Sequence, residues 1–159
     1  MHNSLTHGNT AITMKQSTSD IEIKGPFKAH GQADYEVHGR VVHVQAMGPF
    51  NAELVPAISQ TIGKLIGPLA ESGNWAQIIT FRKSALCSPV SLQEFAASLK
   101  ARYTNPATNP VVALVMAPEV EGAHIMPAMI CKCYGDAGVE CRAFTSRDDA
   151  QQWVESQLA

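Results

Sequence analysis

The residues with chemical potential gather in two short stretches. Arg82, Ser84, Ser88 and Ser91 lie between an apolar run and a helical pattern, and Glu119, Glu121 and His124 lie between the next such pair. A serine with a histidine in reach could act as nucleophile and base. Two acids one residue apart could share acid–base work. Arg82, Lys83 and Ser84 could hold an anion. Each set also has a plainer reading. A serine hydrolase presents its nucleophile on a G-x-S-x-G elbow, and the chain contains none. Neither GxxxxGK[ST] nor GxGxxG is present, so no phosphate cradle is signalled. Acids before a helix suit its N-terminal dipole, and a histidine opening a helix is ordinarily a solvated one. The seven residues are therefore candidates for partner or ligand contact, and none is assigned a catalytic role.

Cysteine and histidine give little metal signal. Cys131 and Cys133 are two apart on a helical pattern, so their side chains point about 200° apart and do not share an ion easily. Zinc needs four converging ligands, and Cys87 and Cys141 stand in other segments. The expectation is small apolar filler, with no metal and no cofactor. His2 and His7 lie in a polar N-terminal stretch, and His30, His38 and His43 lie in or beside the first strands.

The elements that must place these residues follow from periodicity. Residues 1–19 read as a disordered polar tail, and residues 20–159 as one domain. Alternation over Asp20–Lys24, then Asp34–His38 and Arg40–Ala46, predicts about three N-terminal strands, with the short His38-Gly39 turn making its two strands antiparallel. Asn51 is the expected N-cap of a helix striped by Leu54, Ile58, Ile62, Leu65, Ile66 and Leu69, kinked at Pro56 and ended near Gly67-Pro68 or Ser72-Gly73. Ile78–Phe81 is a strand, and Ser91 with Glu94 forms the S-x-x-E capping box of a helix faced by Leu92, Phe95, Leu99 and Tyr103. Val111–Met116 is a strand covered on both faces, His124–Tyr134 a helix, Val139–Phe144 the last strand, and Ser146 caps a final helix lined by Ala150, Trp153, Val154 and Leu158. The predicted fold is α/β, with antiparallel N-terminal strands, parallel βα units and about four helices. Both candidate stretches then fall at carboxyl ends of parallel strands, where α/β sheets carry their sites.

Composition narrows the partners. The net charge is −2, with lysine and arginine scattered, which argues against nucleic acid and against stable membrane association. No run of 18 apolar residues and no apolar leader occurs, and with four cysteines the expected compartment is a reducing cytoplasm.

Several short signatures, taken together, resemble the SpoIIAA-like, or STAS, proteins. They are the strand ending Gly48-Pro49-Phe50-Asn51, the strand-to-loop segment Ile78–Ser91, the exit Val115-Met116-Ala117-Pro118-Glu119, and Ala143-Phe144-Thr145 through Ala150 to Trp153. The last is similar to the F-T-x-x-x-x-A-x-x-W ending of uncharacterised members. The resemblance implies a SpoIIAA-like fold and a non-enzymatic bacterial domain that acts through a protein partner of unknown identity, itself a homo-oligomer. In the antagonist subfamily an Asp-Ser-Ser-Gly-type motif starts the second helix. Here Ser88 falls on its Asp and Val90 on its phosphoacceptor, so the phosphorylation switch has no matching residue. A second reading is a carrier or sensor of a small apolar ligand, suggested by the Met-bearing, charge-poor segment Ile125–Cys133. A third is a hydrolase using Ser84 or Ser88 with His124.

Overall fold

A computed structural model describes residues 14–22 and 27–159. Its sheet has six strands, each beside its predecessor in the chain: β1 (Met14–Ser17), β2 (Gln32–His38), β3 (Val41–Met47), β4 (Ala76–Arg82), β5 (Val111–Val115) and β6 (Glu140–Phe144). The first two pairings are antiparallel, and β3 through β6 run parallel, as the connection lengths require. Helices α1 (Val55–Ser72), α2 (Pro89–Arg102) and α3 (Met126–Asp136) are the three crossovers, and α4 (Arg147–Leu158) closes the chain.

Strand alternation sorts the core into two clusters. Val42, Val44, Ile79, Val112 and Leu114 face one way, against Ile62, Leu65, Leu69, Leu99, Ile130 and Tyr134 of α1–α3. Ala76, Ile78, Ala113 and Val115 face the other way, against Ala150, Trp153 and Val154 of α4. Strand β5, interior between β4 and β6, is thus covered on both sides, which its unbroken apolar run requires. A sheet built in one direction by same-handed crossovers puts its connecting helices on one face, leaving the terminal helix for the other.

Several local expectations need correction. The expectation of a disordered polar tail over residues 1–19 fails at its end, where Met14–Ser17 pairs along β2 and Thr18–Asp20 makes a 3-10 turn. The Thr18 hydroxyl, buried, accepts the Ala33 N–H at 2.9 Å. Residues 1–13 lie outside the described residues. The strand expected over Asp20–Lys24 does not form at Ile21–Glu22, and its last two residues are not among those described.

Asn51 does not cap α1, because a 3-10 turn, Ala52–Leu54, intervenes. Its amide instead accepts the His30 N–H and donates to the Lys28 carbonyl, both at 2.8 Å. Since α1 starts only at Val55, Pro56 sits in the first turn, where a missing N–H costs nothing, and no kink is needed. The helix also runs through Pro68 to Ser72. Pro68 frees the carbonyl four residues back, on Lys64, and both residues are exposed, so water can take that acceptor. Helix α3 begins at Met126, two residues later than expected, leaving His124 in the preceding turn. The Ser146 cap forms as expected, accepting the Asp149 N–H at 3.2 Å.

Candidate functional site

Three loops leave the carboxyl ends of β3, β4 and β5 side by side, and backbone bonds tie them into one surface. The Gly48 N–H donates to the Ser84 carbonyl (2.9 Å) and the Phe50 N–H to the Leu86 carbonyl (2.8 Å), joining the β3 and β4 exits. The Ala85 N–H donates to the Glu121 carbonyl (2.8 Å) and the Glu121 N–H to the Lys83 carbonyl (2.9 Å), joining the β4 and β5 exits. Two positions must be glycine for this. A Cβ on Gly48 would sit 2.5 Å from the Ser84 carbonyl oxygen. Gly122 has φ +88°, and its Cβ would meet Leu86 and Met126 at 2.9 Å. Lys83 also adopts the left-handed region, at φ 63°, which a side chain enters at a cost, and its carbonyl is one of the stitching acceptors.

Ser84 is the centre of the arrangement. It is buried, donates its hydroxyl to Glu121 Oε1 at 2.8 Å and accepts the Leu86 N–H at 3.1 Å. The sequence placed Ser84 and Glu121 on separate loops, and the fold makes them a pair. Ser88 and Ser91 also pair, hydroxyl to hydroxyl at 2.7 Å. Here the expected capping box is corrected. Ser88 is the cap, accepting the Ser91 N–H at 3.1 Å, with Pro89 opening the helix, while Ser91 is buried in the first turn. Arg82, Glu119 and His124 are exposed. Among the described residues no hydrogen bond joins a serine to His124, so the nucleophile–base pair that a hydrolase needs is not assembled.

Exposed apolar residues gather at the same end, and sequence reasoning missed them. The large apolar side chains exposed among the described residues are Met14, Phe27, Val90, Ile125 and Met129. Val90 stands in the first turn of α2, Ile125 caps α3 and Met129 lies in its first turn. Phe27 precedes the segment that Asn51 holds against the β3 exit. Only Met14, at the start of β1 opposite Val37, belongs to the other end.

Beneath this surface lies an apolar cavity of about 90 Å³ between the sheet and α1–α3. Tyr35, Ile62, Ile79, Phe95 and Tyr134 are among its walls, with Gln77 and Arg102 as polar members. Gln77 donates to the Tyr103 hydroxyl at 2.8 Å. Burial raises the phenols of Tyr35, Tyr103 and Tyr134 above their ordinary range. No spacing rule exposes such a cavity, because its walls come from six elements.

No family model matches the chain, and no curated protein does. A solved structure similar to it is an anti-sigma factor antagonist from Mycobacterium paratuberculosis, at TM-score 0.50 and 19% identity, covering 84% of this chain and 99% of that one. The chain has the SpoIIAA-like, or STAS, fold. At this identity the likeness speaks for the fold, and function has to be argued from the site. Val90 is an exposed apolar residue at the start of α2. Among the described residues, no helix is long and apolar enough to cross a membrane.

Proposed function

We propose that this chain is a non-enzymatic, regulatory protein-interaction domain that docks its partner over the stitched loops after β3, β4 and β5. One observation carries the reading: four of the five large apolar side chains exposed among the described residues stand at this end. Apolar side chains gathered at one place on a surface mark interaction sites. The loops beneath are held by bonds between them, so a partner meets a preformed surface and little ordering entropy opposes docking. Arg82, Glu119 and His124 would form a polar rim, with Ser84, Ser91 and Glu121 holding its base. Without a hydroxyl at Val90, binding in this reading is constitutive. The reading takes residues 14–159 as one folding unit in a bacterial cytoplasm, and the same patch serves self-association into a homo-oligomer. To test it, a photo-crosslinking residue is placed at Arg82, at Ile125 or at Gln152 on α4, and the chain is expressed in its source organism. Adducts at the first two positions and none at the third are expected; the reverse pattern would move the interface to α4.

The cavity favours a second reading, a carrier or sensor of a small apolar ligand. Its volume is below the roughly 300–1,000 Å³ of pockets for drug-sized ligands, so its guest would be compact. Native mass spectrometry of protein purified from its own host reads both proposals together, stoichiometry and retained ligand.

A further inference from the structure

Cys131 and Cys141 come from different elements, and their sulfurs lie 3.0 Å apart. Cys131 is on α3, Cys141 is on the edge strand β6, and both are half-buried free thiols. The separation is only about 1 Å longer than a disulfide bond. Cys133 departs from them: the helix turns it into the core, where it is 6% exposed. The paired thiols therefore arise from helix–strand packing, and the C-x-C spacing does not foretell them. Among the described residues no group of three metal-ligating side chains includes the pair.

We propose that Cys131 and Cys141 form a reversible disulfide on exposure to a small-molecule disulfide oxidant. Cys131, the less deeply buried of the two, is the attacking thiol. The hydrogen bond between the two sulfurs holds its thiol below the ordinary range, against the opposing effect of burial. The same bond, with burial, raises Cys141, and burial raises Cys87 and Cys133. Attack goes through the thiolate, and the more accessible sulfur meets the oxidant first, so the pair's chemistry begins at Cys131. The Cys131 thiolate adds to one sulfur of the oxidant, whose S–S bond breaks and releases one thiol. Cys141, losing its proton, then attacks the Cys131 sulfur of the mixed disulfide, and the second small thiol leaves. Two protein thiols are oxidised by two electrons, and one oxidant disulfide is reduced to two thiols.

The bond ties α3 to the edge of the sheet. Ile130, beside Cys131, and Tyr134, one turn further, line the apolar cavity, so oxidation fixes one of its walls. The consequence holds whether or not the cavity has a natural guest.

The experiment incubates the full chain across a series of oxidised-to-reduced glutathione ratios. Samples are quenched in acid, alkylated, weighed intact and mapped by peptide. The expected product has lost two hydrogens, resists alkylation at two thiols, yields one bridged peptide pair containing Cys131 and Cys141, and reverts under excess dithiothreitol. Cys141→Ser is expected to stop at one glutathione on Cys131. The oxidised wild type is expected to melt several degrees above the reduced form, a difference absent in Cys131→Ser. Equal alkylation of all four thiols at every ratio, or a bridge mapped to any other pair, overturns the proposal. The wild-type map decides the pairing even if a variant fails to fold.

Discussion

Removing the Ser84 hydroxyl tests the loop assembly at a buried side-chain bond. Ser84→Ala deletes two bonds at once: the one donated to Glu121 at 2.8 Å and the one accepted from the Leu86 N–H at 3.1 Å. A hydrogen bond to a charged group contributes about 1.5–3 kcal/mol. Glu121 is exposed, so water competes for its carboxylate and about 1 kcal/mol is the fitting figure. The Leu86 N–H, half-buried, loses its acceptor, and that adds about 1 kcal/mol. The total is about 2 kcal/mol, or roughly 4–8 °C in melting temperature for a chain of this length. Urea unfolding should show a lower midpoint with an unchanged slope, since the surface exposed on unfolding is the same. Glu121→Gln keeps an acceptor oxygen and should cost less than about 1 kcal/mol. Ser84→Ala combined with Glu121→Ala should be non-additive by about 1 kcal/mol, as touching residues are. A Ser84→Ala loss below about 0.5 kcal/mol, or strict additivity, would refute the claim that this pair braces the loops.

Other outcomes follow from the same geometry. The chain has three tyrosines, and burial raises all three phenols, so alkaline difference spectra should show no phenolate until the protein unfolds. The sign is set by linkage: the unfolded phenol ionises first, so their contribution to stability is whole below about pH 10 and is lost as pH rises further, by about 1.4 kcal/mol per pH unit for each tyrosine. Asn51→Ala removes the bonds to Lys28 and His30 and should cost about 1 kcal/mol. Faster hydrogen exchange at residues 27–31 is its signature; exchange unchanged there would mean that Asn51 does not hold that segment. Benzene at saturation should raise the wild-type melting temperature by about 1 °C, and Ala46→Leu, which fills the cavity, should abolish the response.

What the sequence disclosed depended on how local each cause was. The runs Ile78–Phe81 and Val111–Met116 read directly as strands because burial on both faces leaves no polar alternation to interpret. Their parallel order followed from connection length. The strand at Met14–Ser17 was invisible, since MKQS carries one apolar residue and owes its place to the β2 edge. Ser91 with Glu94 fits a capping box, but Pro89 decides for Ser88 as the cap, because proline is at home as the first helical residue. Both candidate stretches were found by chemistry and position, and the structure does bring Ser84 to Glu121. Both Ser84 and Ser91 are candidates for partner contact by type and position, and their burial comes from neighbouring loops and helices that no local pattern reports. The apolar patch, the cavity and the cysteine pair each join residues distant in the chain, so only the packed fold could disclose them.

The most direct test compares two ends of the molecule with the partner crosslinked in the source organism. Val90→Asp with Ile125→Asp places two charges in the apolar patch, and Met14→Asp places one at the far end. Calorimetric titration should show binding weakened at least 100-fold by the first pair, about 2.7 kcal/mol, and unchanged by the second, with all melting temperatures close to wild type. Undiminished affinity in the Val90 and Ile125 variant, or a loss confined to Met14→Asp, would contradict the assignment of this surface as the docking site.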